Sequence, residues 1–179
     1  VIETLAETGL ALTPVATADV ATHGWLAANG FDALLVPGGF APNYEDALGD
    51  AGAQAVRAFV AGGGGYLGIC AGAYLGCAEW LELLPDVEVA DVDHWARGKT
   101  DDLVATLADA AAPILLGADA AAAAAAPPSL AGERLVTRYA NGPLLEIDAS
   151  GGAGGAGSGA VAVATFTSDM CGLKGKLKR

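Results

Sequence analysis

The order of apolar runs and glycine turns in the first half of the chain predicts an α/β fold built on parallel strands. Two observations carry that expectation. A compact apolar run over residues 31–36 stops at Pro37-Gly38-Gly39, as a buried strand does on entering a tight loop. A second short run, Tyr66-Leu67-Gly68-Ile69, passes directly into Cys70-Ala71-Gly72. Between them Val56, Phe59 and Val60 recur at helical spacing, with Arg57 on the other face. Strand, loop, helix, strand, turn, helix is the order of a doubly wound parallel sheet.

The elements follow in order. Residues 1–30 read as helical and loop segments around a short apolar stretch at residues 10–15. The helix between the two strands is expected over residues 53–61, stopped by the glycines at 62–65. After the second strand the next helix is expected over residues 71–81, with Cys77 on its packed side as a small hydrophobe. Further strands are expected at residues 87–92, 103–107, 114–116, 134–139, 144–147 and 160–166. An Ala-rich stretch at 118–129 and a Gly-rich loop at 149–159 carry few core-forming side chains, so both read as flexible surface insertions. The Gly-rich loop lacks Gly-Lys-Ser/Thr and is not a phosphate loop. Trp25, Trp80 and Trp95 are expected to pack a core otherwise built from Ala, Val and Leu.

Size and composition bound the function. At 179 residues and 17.6 kDa, one domain over residues 1–170 is expected, followed by a basic tail at 171–179. The 41 alanines and 26 glycines make more than a third of the chain, so its apolar fraction is largely small side chains. The most apolar stretch, residues 110–132, is interrupted by Asp119, Pro127 and Pro128 and does not read as a membrane span. The net charge is −12, and four of the nine basic residues, Lys174, Lys176, Lys178 and Arg179, crowd the last six positions. So acidic a body repels nucleic acid and anionic lipid. Cys70, Cys77 and Cys171 form no Cys-x-x-Cys and imply neither a disulfide framework nor a zinc site. An intracellular, reducing compartment such as the cytoplasm is expected. Asp91, Asp93, Asp101 and Asp102 lack the glycine and glutamate of a calcium loop, and no cofactor or metal is implied. The chain opens at Val1 without a signal-like region and reads as part of a longer protein.

The chemistry is expected at Gly68-Ile69-Cys70-Ala71-Gly72. A strand runs into the cysteine, small residues flank it, and a helix follows at once. Those are the mechanics of a nucleophile elbow, a strained turn that lifts a side chain out of the sheet and tolerates only small neighbours. The Ala71 N–H is placed to meet an oxyanion, and Gly39, in the loop after the preceding strand, is a candidate second donor.

The residues from Asp32 through Pro37-Gly38-Gly39 to Tyr44, and from Val56 through the elbow to Gly72-Ala73-Tyr74, resemble the class I glutamine amidotransferase superfamily. The resemblance is closest to the amidotransferase-like domain at the N-terminus of biotin-protein ligases. Tyr44, Trp95-Ala96-Arg97-Gly98 and the run Tyr139-Ala140-Asn141-Gly142-Pro143 fit that subgroup. It implies a flavodoxin-like three-layer α/β/α sandwich with a mostly parallel sheet. It further implies a nucleophile at Cys70 and a pocket around Gly38, Gly39, Tyr44, Ala71 and Gly72. Ligase activity is not implied, because the biotin-transferring domain is separate.

The resemblance breaks at one chemical point. Active superfamily members carry a His, then a Glu, after a late strand. The matching strand here, residues 160–166, is followed by Thr167-Ser168-Asp169-Met170. A thiol near its reference value is only a few per cent thiolate at neutral pH, and release of ammonia needs a proton donor. The chain has two histidines. His23 reads as a surface residue of the first helical stretch, and His94 is the surrogate-base candidate. The sequence therefore predicts a catalytically impaired domain acting as a binding, regulatory or assembly module. Its partners would be another protein, the rest of a longer chain, or a small amide-bearing ligand. The alternative is a cysteine amidotransferase or amidase acting through Cys70.

Overall fold

The computed structural model describes residue 7 and residues 9–90, 100–108, 130–147 and 160–167. The first half begins with two single helical turns, α1 (Thr17–Val20) and α2 (Trp25–Ala28), before strand β1 (Ala33–Val36). Helix α3 (Ala41–Ala61) leads to β2 (Gly65–Gly68), and a short helix, α4 (Ala71–Leu75), follows the elbow. Strands β3 (Val87–Val89), β4 (Thr100–Leu107), β5 (Arg134–Ala140), β6 (Leu145–Ile147) and β7 (Ala164–Phe166) complete the described elements. The chain is an α/β protein.

Strands β1 and β2 pair in parallel with Ala33 opposite Gly65 and Val36 opposite Gly68. A parallel pair needs a long crossover, and α3 supplies it. Both strands therefore finish at the same end, so the loop after Val36 and the turn after Gly68 emerge side by side. In open α/β sheets this carboxyl end is where ligands bind. The helix is longer than the residue 53–61 expectation. It starts at Ala41 with Pro42 in its first turn and bends at Gly49, whose φ of 58° suits glycine.

The main core lies between α3 and the parallel pair. Val56 and Leu75 are fully buried and pack with Val20, Leu26, Leu34, Phe59 and Leu81. Trp25 stacks on Phe31 at 5.7 Å between ring centroids, and both lean on this core, as does Trp80. A second, smaller core joins Leu103 and Tyr139 to Tyr74, Val89 and Leu144. Trp95 lies outside the described residues.

Three expectations are corrected. The helix expected over residues 71–81 ends at Leu75, because the chain past Gly76 turns to pair with later backbone. Leu84 N–H donates to Gly76 O at 3.1 Å, and Ala78 N–H donates to Val87 O at 3.0 Å. Cys77 is buried as expected, but beyond the helix rather than on it. A mostly parallel sheet is not what the described strands form. β3 pairs with β6, and β4 with β5 and β7, all antiparallel. No helix is described in this half to make parallel crossovers, and a four-residue turn joins β5 to β6. The strands at 134–139, 144–147 and 103–107 appear close to their expected places, whereas the described part of 160–166 is extended only at 164–166. The strand expected at 114–116, the Ala-rich and Gly-rich segments and the basic tail lie outside the described residues.

Candidate functional site

Cys70 adopts φ 54° and ψ −106°, one of three non-glycine residues with positive φ among those described. That conformation costs an L-residue on the order of 1–2 kcal/mol and survives only where its surroundings impose it. Ile69 N–H extends the β1–β2 ladder by donating to Val36 O at 3.0 Å. One residue later the Cys70 carbonyl accepts from Ala73 and Tyr74 N–H at 3.0 and 3.1 Å, opening α4. The chain thus reverses from strand to helix within Cys70 itself.

The flanking glycines are there for space. A Cβ on Gly72 would run into the Val36 carbonyl, and one on Gly68 into the Gly72 carbonyl. The Tyr66 hydroxyl donates to Gly72 O at 2.7 Å, linking the strand before the elbow to the helix after it. Burial pushes the Tyr66 phenol well above its ordinary pKa, with the nearby Cys77 adding to the effect.

The loop 37–39 lies against this turn. A Cβ on Gly38 would sit 3.4 Å from Cys70 Cβ and 3.9 Å from its sulfur, so loop and elbow touch. Tyr44 holds the loop from behind by donating its hydroxyl to Gly38 O at 3.2 Å. Its ring also packs on the main core. Tyr44 is therefore a positioning residue, outside the set that lines the cavity described next.

A cavity of about 370 Å³ opens over the elbow. Cys70, Ala71 and Gly39 line it, with Phe40, Tyr74 and Trp80 as its aromatic wall and Glu79 as its carboxylate. The backbone N–H groups of Gly39 and Ala71 make no hydrogen bond among the described residues. Two free donors beside a thiol are what a bound carbonyl oxygen needs. The opposite side comes from the second half of the chain. The turn after β5, braced by Tyr139 Oη donating to Gly142 O at 3.1 Å, brings the Asn141 carbonyl to 3.8 Å from Cys70 Sγ. Asn141 has φ 60°, a conformation its short polar side chain tolerates.

The structure thus brings Cys70, Gly38, Gly39, Ala71 and Gly72 together, with Tyr44 supporting the loop. His23 is exposed and lies with Val20, Leu26 and Phe59 on a different small cavity. His94 lies outside the described residues. Asp102 pairs with Arg138 at 2.9 Å. No group of three or more His, Cys, Asp or Glu residues among those described is placed to hold a metal ion. Cys77, 1% exposed, donates its thiol to Ala73 O at 3.3 Å. Burial and the charge of Glu79 push its pKa up to about 11. Sequence reasoning missed Glu79 and Phe40 and gave Trp80 a packing role alone. Asn141 had a signal, the Asn-Gly pair that favours a positive-φ turn. Glu79 had none, since its place depends on the helix stopping at Gly76.

A family model described as the N-terminal part of biotin-protein ligase matches residues 1–90, just over half of the 179 residues, and the elbow falls inside that span. The chain belongs to this family. The biotin-protein ligase N-terminal match ends after β3, so the Asn141 turn lies beyond it. An "Uncharacterized protein" of Chlamydia muridarum (strain MoPn / Nigg) is 45% identical over 53 residues. That alignment covers 30% of this chain and 20% of the relative, so the chain spans about a fifth of the curated relative's length. No solved structure matches the chain significantly. No helix among the described residues of this biotin-protein ligase N-terminal domain is long and apolar enough to cross a membrane.

Proposed function

We propose that this biotin-protein ligase N-terminal-type domain is a binding and regulatory module that holds a small carbonyl compound against Cys70 without turning it over efficiently. The observation that supports it is the strained Cys70 facing a cavity of about 370 Å³ lined also by Gly39 and Ala71, whose N–H groups are free among the described residues. A carboxamide or related carbonyl oxygen accepts from both donors while its carbon lies over the sulfur. Turnover needs in addition a base for the thiol and a proton for the departing nitrogen. The late strand ends at Phe166 and is followed by Thr167-Ser168-Asp169, where the amidotransferase pattern has its His. In the same reading residues 1–170 form one domain of the flavodoxin-like α/β/α kind, working in a reducing compartment with a protein partner or with the remainder of a longer chain.

A second reading is favoured by the strain itself, which is characteristic of working nucleophiles. Cys70 sulfur bonds to the amide carbon, the carbonyl electron pair moves to the oxygen held by Gly39 and Ala71, and the C–N bond then breaks. The nitrogen leaves as ammonia carrying the thiol proton, and water hydrolyses the thioester, with His94 as the base. Titrating the protein with glutamine and simple amides, with calorimetry and ammonia release read together, separates the two. Binding lost in Cys70→Ala, with no ammonia above background, supports the module. Cys70-dependent ammonia supports the enzyme. No binding and no release contradicts both.

A further inference from the structure

The wall of the Cys70 cavity has a definite chemistry. Its one carboxylate among the described residues is that of the exposed Glu79, beside the half-buried Trp80. Phe40 stands at the rim with 66% of its surface exposed, although it is a large hydrophobe, and Tyr74 lies deeper. Glu79 has no ion pair among the described residues. The nearby Arg57, which shares with it an adjoining polar cavity, is turned to Glu82 at 3.7 Å. A carboxylate that has no ion pair among the described residues and shares a cavity wall with aromatic side chains is the combination that binds ammonium groups, by charge and by the ring quadrupole together.

We infer that the ligand of the Cys70 cavity carries a cationic amine as well as a carbonyl, with the amine held by Glu79, Trp80 and Phe40 and the carbonyl at Gly39 and Ala71. The inference rests on the proposed binding function and adds the class of ligand. It separates amino-amides and similar cations from acyl compounds whose only charge is a carboxylate, which Glu79 repels.

The test uses three chloroacetamides sharing one reactive group and bearing a trimethylammonium, a hydroxyl or a sulfonate. The thiolate displaces chloride from the probe's methylene carbon, the new bond being S–C and the thiol proton passing to buffer. Labelling rates of Cys70, read by peptide mass spectrometry, are divided by those of N-acetylcysteine amide. The cationic probe is expected to exceed the neutral one by about threefold or more, and the sulfonate to fall below it, at low ionic strength. Glu79→Gln should bring the cationic-to-neutral ratio close to one, while Glu79→Asp retains most of it. Glu88→Gln, an equal loss of charge on exposed β3 outside the cavity, should leave the ratio in place. The inference is overturned if Glu79→Gln and Glu88→Gln act alike, because the preference would then reflect the net charge of −12 alone. It is also overturned if Cys70 takes the neutral probe with no preference for the cation, which leaves the binding function standing. Resistance of Cys70 to all three probes overturns both.

Discussion

The Tyr66 hydroxyl reaches across the elbow to the Gly72 carbonyl at 2.7 Å. Tyr66 lies in β2 and Gly72 in α4, so one hydrogen bond fastens the two arms of the turn that carries Cys70. Tyr66→Phe leaves a buried carbonyl without that partner. The expected cost is about 1–2 kcal/mol in denaturant unfolding at neutral pH, together with slower or less selective probe labelling at Cys70.

Space at the elbow gives a sharper contrast between two glycines. Gly72→Ala drives a methyl into the Val36 carbonyl, which belongs to a paired strand and has nowhere to move. Destabilisation by roughly 3 kcal/mol or more is expected. Gly142→Ala, with nothing within 4 Å of the new Cβ, is expected to change stability by less than about 0.5 kcal/mol. Thermal melts of the two variants check both values.

Strain at position 70 predicts a gain where function is lost. Glycine reaches φ 54° without the penalty a Cβ brings. Cys70→Gly is therefore expected to stabilise the fold by about 0.5–1 kcal/mol, after allowing for the looser unfolded chain. Cys70→Ala keeps the strained conformation and is expected to show no such gain. Equal stabilities for the two variants would remove the argument from strain.

Alkaline pH should weaken the fold through Cys77. Its pKa rises from 9.0 to about 11 on folding, so between these values the folded state holds the proton more tightly than the unfolded one. Stability from this group is complete below about pH 9 and is lost as pH climbs towards 11. Tyr66, also raised, adds a loss that begins above its ordinary value of 10.0. Unfolding midpoints measured from pH 8 to 11 should fall, and Cys77→Ala should flatten the part between 9 and 10.

The legible parts of this molecule were those written locally. The run at residues 31–36 and its Pro-Gly-Gly stop predicted β1, and Gly-Ile-Cys-Ala-Gly predicted a turn that the φ of Cys70 bears out. Tyr44 was tied to the pocket, but its hydrogen bond to Gly38 O makes it a support for the loop. The cavity wall was not legible, because it depends on where the chain goes after Gly76. Helical spacing continues past that residue, yet backbone bonds to Val87 and Leu84 end the helix and place Glu79 and Trp80 over Cys70. The sense of strand pairing in the second half was equally hidden. Short apolar runs look the same in parallel and antiparallel sheets, and only the connections distinguish them.

The most direct test of the central claim, that Cys70 stands in an open, strained elbow while its neighbour seven residues on is sealed in the core, is competitive alkylation of the folded protein. Iodoacetamide at pH 7.5, quantified on the Cys70 and Cys77 peptides, is expected to label Cys70 at least about tenfold faster, because Cys77 is buried and its thiol is held protonated. Equal rates, or a Cys70 that reacts only after urea is added, would contradict the account.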